Sequence, residues 1–226
     1  MTEASRVADR PELTSDERAY YALNARAWPI FAPLYDFVVA PFRRIRPEVV
    51  SLAGVSPSSR VLDVATGTGA QAYAFAERAG TVVGVDLCEA MLRIATRKRR
   101  AENLTYRQGD ATALPFPDAS FDVACISFAL HEMPRSIRER ALAEMVRVTV
   151  LDGTIAIVDY APPRDAVERA IGRFVRLYEG QRYVDFVQSD LGAFLRSAGI
   201  DIREERRVLR GVVRAVVGVR TRAQAP

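Results

Sequence analysis

The sequence predicts a doubly wound α/β fold: a mostly parallel sheet flanked by helices, an antiparallel C-terminal strand and an N-terminal helical cap. Three observations predict it. Short apolar runs alternate with helical stretches of ten or more residues across the interior, and that order requires right-handed βαβ crossovers and a parallel sheet. Acidic residues recur with successive strand candidates: the first carries Asp63 just before the glycines, the second ends in Asp86, and the third is followed by Asp110. The tail instead carries two β-like runs, 201–208 and 211–219, separated by a couple of residues. A hairpin can join runs that close, whereas a parallel crossover cannot. The antiparallel strand is therefore expected to close one edge of the sheet.

In order, residues 61–65 (VLDVA) read as a buried strand stopped by glycines, and 70–79 as an alanine-rich helix closed by Gly80. Residues 81–86 (TVVGVD) are a second strand. Residues 89–100 are a helix with Met91, Leu92 and Ile94 on its apolar side. A third strand at 104–108 precedes the turn-rich loop GDATALPFPDAS, and 121–128 (FDVACISF) is a fourth strand. Ser136 is placed to cap a helix running to Val148, and 153–160 (GTIAIVDY) is a fifth strand. Before these elements, 14–27 read as a helix followed by a proline-punctuated aromatic segment containing Trp28, Phe31, Tyr35 and Phe37. After the fifth strand, 161–185 read as a helical insertion, and 184–197 as a single further helix. Residues 1–55 are taken as the cap and 56–226 as the main domain. Cap and insertion can both fold over the carboxyl ends of the strands, where ligands of open α/β sheets sit.

Composition bounds the function. The chain has 226 residues, 49% hydrophobic and 27% charged, with formal net charge +4, which describes a globular domain with a sizeable core. No long apolar block suggests a secretory signal or a membrane span, and Cys88 and Cys125 make no disulfide framework, so a reducing cytoplasm is expected. The densest basic run, Arg97-Lys98-Arg99-Arg100, ends a helix without interleaved aromatics. It reads as a solvated helix end favoured by the macrodipole, and no nucleic-acid partner is expected.

The stretch VLDVATGTGAQA poses the functional choice. Gly67, Gly69 and Ala72 fit the G-x-G-x-x-G/A dinucleotide fingerprint, which would bring a pyrophosphate to a helix N-terminus. An acid just before the turn is awkward for that anion. Three acids at three neighbouring strand ends instead suit an adenosyl compound with a cationic amino-acid tail. Asp86 can accept from both ribose hydroxyls, Asp63 can orient the turn and counter an ammonium, and Asp110 can accept from the adenine amine. Gly67 and Gly69 let the backbone approach without a Cβ in the way. A nicotinamide-dependent oxidoreductase, and a cofactor-binding module without catalysis, stay open as alternatives.

The motifs VLDVATGTG, VVGVDLCEAML, GDATALPFPDASFDVACISFALHEM and GTIAIVDY resemble those of the class I S-adenosylmethionine-dependent methyltransferases. LPFPDASFDVACISFAL and APLYD are most similar to the ubiquinone/menaquinone C-methyltransferase (UbiE-like) branch. The resemblance implies a Rossmann-like seven-stranded sheet and S-adenosyl-L-methionine as cofactor. It places Asp63, Ala65, Gly67, Thr68, Gly69, Asp86, Leu87, Asp110, Ala111 and Ser127 at cofactor-contacting positions. Ala65 stands where the family has a glycine, His131-Glu132 where quinone enzymes have arginine-asparagine, and Leu151-Asp152-Gly153 for proline-glycine-glycine. The implied acceptor is a small apolar or aromatic molecule, with a phospholipid or natural-product nitrogen or oxygen as the alternative.

Methyl transfer from a sulfonium chiefly needs alignment and exclusion of water. Two residues are nonetheless candidates for the chemistry. His131, the only histidine, suits a general base near neutrality or a polar contact to the substrate. Tyr35, with Tyr20 and Tyr21, can shield a sulfonium by cation–π attraction or simply pack the cap. No metal site is expected, because H-E-x-x-H would need a histidine at Arg135. Peripheral membrane contact is expected if the acceptor is lipophilic, and a homodimer is a further expectation.

Overall fold

The computed structural model describes residues 13–221. Seven strands form one sheet in the order β3-β2-β1-β4-β5-β7-β6. They are β1 (Arg60–Val64), β2 (Thr81–Asp86), β3 (Leu104–Gln108), β4 (Phe121–Ser127), β5 (Thr149–Tyr160), β6 (Ile200–Val208) and β7 (Val213–Arg220). The first five pair in parallel, and β7 pairs antiparallel with both β5 and β6. The antiparallel strand is thus not the edge strand, as the sequence suggested. β7 carries the apolar run VRAVVGVR and is buried through its first six residues. β6, with Glu204, Glu205, Arg206 and Arg207, keeps the solvent edge, and a charged edge resists pairing with other chains. Gly218 permits the insertion, since a Cβ there would lie 2.5 Å from Ile200 Cγ2.

The central strands β1 and β4 are apolar and almost wholly buried, as a parallel sheet covered on both faces requires. The helices covering them are α1 (Ser15–Arg26), α2 (Trp28–Val38), α3 (Ile45–Leu52), α4 (Ala70–Ala76), α5 (Glu89–Lys98), α6 (Arg135–Val148), α7 (Ala166–Glu179), α8 (Gln181–Gln188) and α9 (Leu191–Ser197). The single helix expected over 184–197 is two helices, because the Asp190 carboxylate accepts from the Ala193 N–H and starts a new one. Ser136 does not cap α6. Its hydroxyl donates to Glu17 Oε1 at 2.7 Å, tying α6 to α1.

The N-terminal helices attach in three ways. Thr14 and Glu17 form a reciprocal capping box at the start of α1, and the same Glu17 carboxylate accepts from Arg140 at 2.7 Å. On α2, Ala32 packs with Cys88 and Met91 in a small second core that Trp28 and Tyr35 flank. Ile45, Val49 and Val50 of α3 join the main core.

The basic run at the end of α5 is only partly a solvated helix end. Lys98 and Arg99 ion-pair with Asp36 at 2.9 and 3.0 Å, and Arg99 also donates to the Thr68 carbonyl at 2.7 Å. Half of the run therefore fastens α2 to the glycine turn.

Candidate active site

β1 and β4 are adjacent although β2 and β3 lie on the other side of β1. This reversal of strand order opens a crevice at the carboxyl ends, the usual ligand position in such sheets. Asp86, Leu87, Gly109, Asp110 and Ala111 line the crevice from the ends of β2 and β3. Ala65 and Gly67 form its floor, and Tyr20, Trp28 and Tyr35 of the cap form its roof.

Asp63 does not share that crevice with Asp86 and Asp110, contrary to the sequence reading. It is 1% exposed and lines an adjoining pocket with Arg46, Thr68 and Ser127. Ala65, Tyr35 and Phe128 line both spaces, which adjoin across them. One Asp63 oxygen accepts from the Thr66 hydroxyl at 2.5 Å. The other is buried and makes no aligned hydrogen bond among the described residues. Burial pushes the carboxyl up to about 7, against the lowering effect of Thr66. Arg46 had no motif to announce it, because it arrives from α3. Burial lowers its pKa, and the charge of Asp63 is among the groups favouring its cationic form. An acid and a guanidinium in one pocket match the opposite charges of an amino-acid zwitterion.

The turn between β1 and α4 is left-handed at three points, with φ of +52° at Ala65, +55° at Gly67 and +80° at Gly69. The two glycines serve different neighbours. A Cβ on Gly67 would lie 3.5 Å from Tyr35 Cε1, at the wall of both spaces, whereas one on Gly69 would meet Tyr106 Oη at 2.4 Å. Gly69 thus leaves room for the Tyr106 side chain. The Thr68 hydroxyl donates to Asp36 Oδ1 at 2.6 Å. Asp86 accepts from the backbone N–H of Gly67 at 2.7 Å and of Cys88 at 2.8 Å, so the second strand orients the turn. Burial raises the Asp86 pKa against these two bonds. Asp110 accepts from the Tyr21 hydroxyl at 2.9 Å, and also from the Thr112 N–H and hydroxyl.

A second, largely apolar pocket adjoins the crevice. Leu23, Phe31, Leu34 and Val38 line it from the cap, and Glu179 and Arg182 from the insertion. Tyr20, Trp28, Tyr35 and Glu132 line both the pocket and the crevice. Tyr35, edge-on to Trp28 at 5.8 Å, touches all three spaces.

His131 stands behind this wall, not in it. It is 2% exposed. Its Nδ1 lies 2.8 Å from Asp159 Oδ1, and its Nε2 lies 3.3 Å from Glu179 Oε2 and 3.8 Å from Glu132 Oε1. Burial alone would lower its pKa, but the charge and hydrogen bond of Asp159, then Glu179, raise it to about 10. Buried behind the wall and absent from the lining of the crevice, the ring is not placed as the expected base would be. Glu132, which does face the crevice, is raised to about 7 by burial and by Glu179 and Asp159.

A seven-stranded mixed sheet with a carboxylate-lined crevice at its switch point defines the nucleotide-cofactor class of α/β proteins. A family profile described as a methyltransferase domain matches residues 61–153. The chain is 38% identical over 176 residues to a demethylmenaquinone methyltransferase of Thermus thermophilus, covering 72% of this chain and 77% of that protein. A demethylmenaquinone methyltransferase of Renibacterium salmoninarum is 41% identical over 139 residues, covering 58% of this chain and 56% of that one, little more than half its length. Among solved structures, a SAM-dependent methyltransferase from Aquifex aeolicus superposes with TM-score 0.66 at 22% identity, covering 85% of this chain and 98% of that one. The chain belongs to the class I S-adenosylmethionine-dependent methyltransferases, within the ubiquinone/menaquinone C-methyltransferase branch.

Proposed function

We propose that this protein methylates a carbon of a small aromatic acceptor of the quinone-precursor type, using S-adenosylmethionine. The observation that carries the reading is the juxtaposition of two unlike spaces. A crevice lined by Asp86 and Asp110 adjoins, across Tyr20 and Tyr35, an apolar pocket under the cap.

The cofactor, when bound, supplies an electrophilic methyl group. The residues fit it. Asp86 would accept from the ribose hydroxyls, Asp110 from the adenine amine, and Leu87 and Ala111 would flank the base. Asp63, through its unaligned buried oxygen, and Arg46 would hold the ammonium and carboxylate of the amino-acid tail. Tyr35 and Trp28 exclude water and align a planar acceptor, and alignment is the main contribution that such a transfer needs. Relatives named for demethylmenaquinone support a quinone-like acceptor. The test is incubation with S-adenosylmethionine and reduced demethylmenaquinone, with matched amine and hydroxyl acceptors alongside. Mass spectrometry should place the new methyl on ring carbon. Transfer only to nitrogen or oxygen would overturn the carbon assignment.

The cap also supplies a surface for reaching a lipophilic acceptor. Phe37 is 84% and Leu177 85% exposed, and α2 and the end of α7 line the same apolar pocket. Arg43 and Arg44 follow α2, and Arg169, Arg173 and Arg176 lie along α7, all exposed. Apolar side chains fringed by arginines suit the surface of an anionic membrane. No helix among the described residues is long and apolar enough to cross one. This reading is of a cytoplasmic enzyme, and the buried free thiols of Cys88 and Cys125 accord with a reducing compartment.

A further inference from the structure

We propose that His131 Nε2, Glu132 and Glu179 form a binding site for one divalent first-row cation, of the Mn²⁺ or Zn²⁺ type, in the wall between the cofactor crevice and the apolar pocket. The three side chains can each offer one ligand atom, and these atoms all lie within 4.8 Å of one another. Nε2 is 3.3 Å from Glu179 Oε2 and 3.8 Å from Glu132 Oε1. Ligand atoms bonded to one such cation at about 2.0–2.2 Å lie about 3–3.5 Å apart, so small side-chain adjustments complete the geometry.

The decisive observation is Nε2 itself. It is buried and makes no aligned hydrogen bond, although two carboxylates are beside it. A proton on Nε2 would satisfy those carboxylates only along the N–H direction, whereas a cation needs no such alignment. The supporting contacts are those of a metal centre. Asp159 Oδ1 holds Nδ1 at 2.8 Å, which leaves Nε2 as the ligand atom. The Tyr160 hydroxyl donates to Glu179 Oε1 at 3.1 Å, leaving Oε2 for the cation. An imidazole nitrogen favours a transition cation over Mg²⁺ or Ca²⁺, which prefer oxygen alone. Glu132 and Glu179 both line the apolar pocket, so an oxygen of the acceptor can complete the coordination shell. No motif marks the site, because Glu179 comes from the insertion.

The test uses the full chain, free of any tag and stripped by chelation, titrated with MnCl₂ or ZnCl₂ alone and followed by calorimetry or by the spin-resonance signal of free Mn²⁺. The expected result is one ion per chain. Binding should fall about tenfold or more in Glu179→Gln and His131→Asn, and about 10- to 100-fold in Asp159→Asn. The exposed Glu139→Gln should bind as the natural chain does. Thermal melts identify any variant that fails to fold. Should His131→Asn unfold, Glu179→Gln and Glu132→Gln carry the comparison. Undiminished binding in a folded Glu179→Gln overturns the proposal, and so does the absence of binding at millimolar metal.

Discussion

Ala65 occupies a left-handed backbone position, at φ +52°, that an L-residue adopts at a cost of about 1–2 kcal/mol. Glycine would remove that cost while adding about 0.5–1 kcal/mol of unfolded-state entropy. Ala65→Gly should therefore stabilise the protein by about 0.5–1 kcal/mol in urea unfolding, and an unchanged or lower midpoint would contradict the strain. Asp86 has a different role, as a charged acceptor at the crevice. Asp86→Asn should weaken binding of S-adenosylhomocysteine by about 1.5–3 kcal/mol, since bonds to a charged group become bonds to a neutral one. Calorimetry reads this directly, and unchanged affinity would place the ribose elsewhere. Asp86 and Asp110 were legible in the sequence because Asp86 ends the second strand run and Asp110 follows the third after one glycine. Arg46, Glu179 and the separation of Asp63 from the other acids were not, because they depend on which distant elements fold over the strand ends.

At the scale of elements, the cap is held by two carboxylates in charged hydrogen-bond networks. Hydrogen bonds from Ser136 and Thr14, then Arg140, hold Glu17 down at about 2. Burial pushes Asp36 up, but bonds from Thr68, Lys98 and Arg99 outweigh it and bring it to about 2. Both pKa values lie below those of the unfolded chain, so these contacts contribute fully above about pH 4.5. They are lost as pH falls from there through about 2. Hydrogen exchange across 15–38 should accelerate over that window, ahead of exchange in β1 and β4. Simultaneous loss of protection in cap and sheet would mean that the cap has no separate attachment. Asp36→Asn should loosen the cap at neutral pH as well. The sequence showed these helices but not their fastening. Lys98 and Arg99 sit in a run whose other members, Arg97 and Arg100, are exposed, and local composition does not separate the two kinds. The position of β7 was missed for a related reason. Two adjacent β runs specify a hairpin, but which arm pairs with β5 is decided by burial, and the apolar arm is the second.

Across the whole molecule, cofactor crevice, apolar pocket and exposed cap surface adjoin one another. The protein should co-sediment with vesicles containing phosphatidylglycerol and release at high salt, and should stay in solution with phosphatidylcholine alone. Phe37→Ser and Leu177→Ser should each reduce the bound fraction. Indifference to anionic vesicles would oppose the membrane reading, as would a stable dimer in light scattering that Phe37→Ser converts to monomer. The doubly wound sheet was legible because its βαβ order is written in alternating periods. The cap surface was legible only as aromatic content, since sequence does not say which of Trp28, Phe31, Tyr35 and Phe37 turn inward. Trp28 and Tyr35 pack against the small second core, and Phe31 and Phe37 face solvent.

The central claim, that the crevice at the strand ends holds S-adenosylmethionine, is tested most directly by calorimetric titration of the full chain with S-adenosylhomocysteine and, separately, NADH. The expected result is saturable binding of one S-adenosylhomocysteine per chain, weakened by Asp86→Asn, with NADH binding far more weakly or not at all. Tighter binding of NADH, or no binding of S-adenosylhomocysteine, would contradict it.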